Sequence, residues 1–388
     1  MSGSGPEDPF GGIPFLGDLA KLLQGQSGGG WEAARQFAVQ VATGGEPESN
    51  PDPIDRLALG ELVRVAELQI GAATGLDVTT TGRPLSVVPV TRGEWARRTI
   101  DAWRPLLETL SASLTSPALD QGLAAELDDA PEAAMLKPLL AMLGPVMLGL
   151  QAGSMVGHLA SRSLGQYDVP IPRPASDELV IVARNVNEFG DEWSLPRDDL
   201  RLWICLSEVT THTVINVPHV RERLSSLLQR HAESFTIDTS SIESAFGAID
   251  PMDPASMQEA FGDPAALLGV IQSEAQKSLL PELQAVLAVI VGYVDHVMDR
   301  VGAPLIASYG MLTEALHRRR VEAAAADRFV EHLLGLELGR GQYERGEAFV
   351  RGVLERNGDL SRLFAKAENL PTPNEVDAPG LWLARIDL

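Results

Sequence analysis

Cysteine is nearly missing from this sequence. Cys205 is the only one, so an intramolecular disulfide is excluded. Its neighbours Ile204 and Leu206 point to a buried thiol, and the sequence offers no base placed to activate it. Positive charge is scarce too: 31 lysines and arginines face 53 aspartates and glutamates, for a formal charge of −22. That balance excludes non-specific binding to nucleic acid or anionic membrane, which requires a basic surface. The one basic run, His317-Arg318-Arg319-Arg320, falls inside a helical pattern and reads as a solvated face. The first 25 residues lack a basic segment followed by an apolar core. No export signal is evident, and a cytoplasmic location is the expectation.

Charge of either sign is missing from 138 to 161, PLLAMLGPVMLGLQAGSMVGHLAS. The stretch is long enough to cross a bilayer. Gly144-Pro145 interrupts it, however, and Gln151, Ser154 and His158 would face lipid. With no second span and no aromatic belt, a buried core helix is expected and no membrane span. Within it Gly149, Gly153 and Gly157 recur every fourth residue and permit close contact with a neighbouring helix.

What is present is ordinary globular material: 388 residues, 45% hydrophobic and 22% charged, enough for one large domain or two modest ones. Residues 1–52 read as a flexible Gly/Pro-rich appendage. GQSGGG (25–30) is a spacer, TGGEPESNPDP (43–53) is a linker, and one short amphipathic helix fits between them, over 31–42. The domain proper spans 53–388, with a helical half to about 165 and a second half from about 166. Apolar residues at three-four spacing predict helices over 55–75, 92–115, 193–216, 218–233, 255–279, 281–301, 305–336 and 342–357. ELDDAPEA (126–133) reads as a loop. ELVIVA (178–183) is the strong strand candidate, with SVVPV (86–90) and SFTID (234–238) as further edges. The fold class is mainly α with a small β-sheet, α+β.

The chemistry-bearing stretch is WSLPRDDLRLWICLSEVTTH (193–212). Ser194 is placed to cap a helix, Pro196 suits its first turn, and Asp198 and Asp199 sit at the positive end of its dipole. Ser207 and Thr211 are four apart and share one face. In a His-Glu-x-x-His helix those two positions pinch a zinc ion, while the Glu beside the first ligand polarises the attacking water. Here that Glu is Glu208.

Several ordered blocks carry a resemblance. LGQYDVPIP (164–172), NEFGDEWSLPRDDLRLWICL (187–206), EVTTHTVINVP (208–218), TRGEW (91–95), GYVDHVMD (292–299), QYERGEAFVR (342–351) and LPTPNEVDAPGLWLARI (370–386) resemble the zincin-like metallopeptidase family found widely in actinobacteria, one branch of which is associated with biosynthesis of a deazaflavin coenzyme. The resemblance implies a zincin-like metallopeptidase architecture, hydrolase chemistry and zinc in intact relatives. The family run is His-Glu-Val-Thr-His-His; this chain has Ser-Glu-Val-Thr-Thr-His at 207–212. The general-base position, Glu208, is kept and both helix ligand positions are replaced. A third ligand position, acidic in the family and just before the glycine of the downstream helix, is Val291 here.

A structural zinc site contributes on the order of 10 kcal/mol, and hydroxyls are poor substitutes for imidazole. The expectation is therefore a catalytically inactive relative with no metal cofactor and a binding or regulatory role toward a peptide or protein partner. Two alternatives stand beside it. An active metal-dependent hydrolase could use a displaced site drawn from Glu208, His212, Asp295 and His296, against which the plainer expectation is a Glu208–His212 pair across one helical turn. Alternatively, an interaction protein could act through residues 1–52. Glu344 and Glu347 read as surface carboxylates paired with neighbouring arginines. Ser207 lacks the Gly-x-Ser-x-Gly elbow of a nucleophile. His158 reads as a core residue and His231 as a helix-surface one.

Overall fold

A computed structural model describes residues 29–114, 149–235, 273–321, 331, 333–336 and 338–387. The loop at 126–133, most of the 255–279 helix, residues 236–238 of the third strand candidate and the first part of the uncharged stretch lie outside the described residues.

The first helix, α1 (Gly29–Thr43), carries Ala34, Ala38 and Ala42 at four-residue spacing, all buried. A second stripe of small residues faces it from α4, helical over 149–162. A Cβ added to Gly153 would lie 2.5 Å from the Ala34 carbonyl oxygen, and one on Gly157 2.6 Å from that of Ala38. Two ridges of small residues thus let the backbones touch, and the recurring glycines serve packing inside the protein. On its other side α1 packs on α3 (Arg92–Leu114), where Arg35 bonds Asp101. The segment that follows is tied down too. The Glu48 carboxylate accepts from the backbone N–H of Arg92 and Gly93 at the start of α3, at 3.2 and 2.8 Å, where a negative charge is favoured. Asp52 caps α2 (Pro53–Thr74) by accepting from Ile54 N. The expected flexible appendage over 1–52 is therefore corrected for 29–52. Alanine pairing with glycine gives little hydropathy contrast, so composition there mimics a linker.

Helix α2 runs from Pro53 at its first position to Gly75, whose φ of +68° closes it in the left-handed conformation. Strands β1 (Ser86–Val90) and β2 (Glu178–Val182) pair in parallel, Val88 opposite Val180, with α3 and α4 in the crossover between them. Gly165 forms an isolated antiparallel bridge to Ile181 of β2. α5 (Ala183–Glu192) leads into the motif helix, α6 (Arg197–Ile215). Asp198 and Asp199 lie in its first turn as expected, but Ser194 does not cap it. The chain enters through Pro196 without a side-chain cap, and Ser194 holds a left-handed turn at φ +53°. α7 (Pro218–Glu233) follows.

The centre of the molecule is α8 (Glu274–Leu305), opened by a reciprocal Ser273–Gln276 capping box. It runs unbroken through Pro281, where two separate segments were expected. A proline costs one helical hydrogen bond, and residues 283–291 beyond it are almost entirely buried. Ala275–Leu305 is long and apolar enough to cross a membrane by length and composition, and 67% of its most apolar window is buried inside the protein. α9 (Tyr309–Val321) is shorter than the expected 305–336 segment, of which 322–330 lie outside the described residues. α10 (Arg340–Glu355) crosses α8 where Gly292 meets Gly346, so closely that a Cβ on either would strike the other helix's backbone. Two short 3-10 turns, α11 (Pro373–Asp377) and α12 (Pro379–Ile386), complete the chain and bury Trp382 against Phe349. One apolar core runs continuously from Ala38 to Trp382, across the 165/166 division read from the sequence.

Candidate functional site

α6, α8, α9 and the 164–170 segment enclose a cleft of about 710 Å³, counting the part open to solvent. Ser207, Glu208 and Thr211 of α6 line it together with Val291 and Asp295 of α8. Four of these are the positions singled out by the motif, and α6 packing on α8 is what joins them. Leu164, Trp203, Ile204, Ile290, Val294 and Leu316 give the cleft an apolar wall, and Tyr167, Asp168, Arg319, Arg320 and Tyr343 of α10 give it a polar one.

Glu208 is buried and its carboxyl lies directly over Gly165, where any Cβ would collide with it. It accepts the backbone N–H of Gln166 at 2.8 Å and that of Tyr167 at 3.1 Å. Burial, reinforced by Asp168, pushes its pKa up to about 8 despite these two donors. The carboxyl is thus mostly protonated at neutral pH. Tyr167 separates Glu208 from His212. Its backbone binds the carboxyl, and its hydroxyl lies 3.0 Å from His212 Nδ1. The expected Glu208–His212 pair is not formed.

His212 is buried in the core and is not part of the cleft wall. Arg221 donates to Asn216 Oδ1, which turns the Asn216 amide nitrogen toward His212 Nδ1 at 3.0 Å. With the tyrosine hydroxyl and the amide both donating, Nδ1 is the acceptor and the ring proton sits on Nε2. That nitrogen has no hydrogen-bond partner among the described residues. Burial lowers the ring's pKa to about 4, so it is neutral.

Asp295 pairs with Arg320 at 3.4 Å, and His296 lies half-buried beside Tyr293. The alternative of a displaced metal site drawn from Glu208, His212, Asp295 and His296 is therefore not assembled among the described residues. Among the described residues no three His, Cys, Asp or Glu side chains are placed to hold a metal ion. The donor set at the motif positions does not fit zinc either. Ser207 offers a hydroxyl, Thr211 commits its own to the Ser207 carbonyl at 2.8 Å, and Val291 offers only hydrocarbon.

Two cleft residues were missed by sequence reasoning. Arg319 and Arg320 belong to the basic run read as a solvated face, and both line the cleft. Arg319 binds Asp168 at 2.9 Å and the Arg162 carbonyl. Arg320 stacks on Tyr343, 4.6 Å from its ring centre. Arg318 is a solvated helix cation, as expected, and pairs with Glu314. α9 shows almost no apolar stripe, which is why its inward face was not legible. Glu344 and Glu347 are exposed and paired with Arg340 and Arg351. Cys205 is fully buried, which pushes its thiol pKa up. His158 is half-buried on α4. His231, expected on a surface, is buried edge-on against Phe235.

A family model described as a zincin-like metallopeptidase matches residues 30–383, so the matched region takes in α1. The fold is similar to the crystal structure of a proposed hydrolase with a novel fold from Chloroflexus aurantiacus. The TM-score is 0.63 and the identity 25%, over 92% of this chain and 98% of that one. No curated protein matches the sequence.

Proposed function

This chain belongs to the zincin-like metallopeptidase family, and from that premise we propose that it is a member without zinc chemistry, whose cleft serves to bind a peptide or protein partner. One observation supports the reading. The three positions at which the family pattern places zinc donors, Ser207, Thr211 and Val291, lie on one cleft and present a hydroxymethyl, a committed hydroxyl and an isopropyl group. Metal ligation tolerates such exchanges poorly, because hydroxyls and hydrocarbon cannot replace imidazole and carboxylate. Glu208, at the general-base position, spends its carboxyl on the backbone N–H groups of Gln166 and Tyr167, and burial raises its pKa to about 8. Its role is structural, tying the 165–167 segment to α6.

The test is zinc content. The chain, purified without tag histidines, is compared with Ser207→His/Thr211→His and with the triple variant that adds Val291→Glu. The expected result is no stoichiometric zinc in the unaltered chain and close to one zinc per chain in the triple variant. Stoichiometric zinc in the unaltered chain overturns the proposal.

A further inference from the structure

Among the described residues, the cleft holds a guanidinium with most of its donors unused. Arg320 has five N–H donors, and among the described residues it makes one hydrogen bond, a long one of 3.4 Å to Asp295. Its side chain is 23% exposed and that surface lies on the cleft. Arg319, by contrast, is satisfied by Asp168 and the Arg162 carbonyl. Taking an arginine out of bulk water without giving it acceptors is costly. The fold nonetheless fixes this one rigidly, by stacking on Tyr343. Tyr343 is itself kept a neutral phenol by burial, so it too can donate. Glu208 is no competing anion, since its carboxyl is turned onto the Gln166 and Tyr167 backbone.

Deepening the binding role proposed above, and resting on it, we infer that Arg320 receives the carboxylate of a peptide C-terminus whose last side chain is aliphatic. A planar carboxylate matches the free edge of a guanidinium with two parallel hydrogen bonds. Asp168 and Asp295 stand on the same walls and disfavour a doubly charged phosphate. Leu164, Ile290, Val291 and Val294 of the same cleft supply the apolar surface for a branched side chain. The substitution at 291 places an isopropyl group in that apolar wall.

The experiment uses the full chain after chelator treatment, with zinc measured on the sample before and after. Calorimetric titration compares acetyl-Ala-Ala-Leu as free acid, the same peptide as its C-terminal amide, and 4-methylpentanoate. The acid is expected to bind at least about tenfold more tightly than the amide, roughly one charge-assisted hydrogen bond, and more tightly than 4-methylpentanoate. Arg320→Gln removes the acid-over-amide preference. Arg320→Gln/Asp295→Asn, which leaves no unpaired charge, does the same, and Arg320→Lys keeps part of it. The ratio of the two affinities is the readout, because general loosening of the fold weakens acid and amide alike. Equal affinities for acid and amide, no binding of either, or a preference that survives both glutamine variants overturns the inference. Binding of 4-methylpentanoate as tight as that of the peptide acid overturns its peptide part. Stoichiometric zinc before chelation overturns the zinc-free reading and leaves the acid-to-amide ratio to decide this one separately.

Discussion

Replacing Glu208 by glutamine should reverse the order of stability between variant and parent as pH rises. In the fold, burial raises this carboxyl from 4.5 to about 8. In the unfolded chain it titrates near its ordinary value. Between those two pH values the folded state holds a proton that the unfolded state has lost, so stability falls as pH rises. The contribution is fully present below about 4.5 and is lost as pH passes through about 8. At 1.36 kcal/mol per pH unit the whole window is worth about 5 kcal/mol, of which about 4 kcal/mol falls between pH 5 and pH 9. Glutamine cannot titrate, and its one carbonyl oxygen must serve the two backbone N–H groups of Gln166 and Tyr167, at a cost of about 1 kcal/mol. Urea unfolding of both proteins at pH 5, 7 and 9 gives the difference directly, other titrating groups cancelling between them. The parent is expected to be the more stable at pH 5 and Glu208→Gln the more stable at pH 9. A difference that stays constant with pH, or that moves in the parent's favour, would show the folded-state carboxyl to be ionised and would refute the reasoning.

Two further outcomes follow from the packing. Tyr167→Phe leaves His212 Nδ1 without the tyrosine donor in a buried place, and thermal unfolding should show a loss of about 1–3 kcal/mol. An unchanged midpoint would mean that Asn216 alone satisfies the ring. Gly153→Val on α4 drives a branched side chain into the Ala34 carbonyl of α1, costing about 1–3 kcal/mol. Limited proteolysis should then cut within 29–52 sooner than in the parent, whereas unchanged cleavage would mean that α1 does not depend on the glycine ridge.

The motif helix is legible in the sequence because its signals are local. Pro196, Asp198 and Asp199 mark its start, and four-residue spacing alone puts Ser207 and Thr211 on one face. Val291 is reached only through resemblance, since nothing local ties it to a helix some 80 residues earlier. Ser194 misleads because serine suits an N-cap and a tight turn alike, and the entry from α5 selects the turn.

By itself the sequence determined a mainly helical chain with one small sheet, an isolated cysteine between apolar neighbours, and the placing of Ser207 and Thr211 on one helix face. Periodicity, capping and composition act over a few residues, and those features need no more. Only the tertiary structure decided that α1 belongs to the body, because an alanine ridge declares itself only when a glycine ridge meets it. It alone turned Glu208 onto the 166–167 backbone and away from His212, since Gly165 leaves room there and Tyr167 stands between the two. It also brought Arg320 to the cleft, because a helix without an apolar stripe shows which face is inward only once its neighbours are in place.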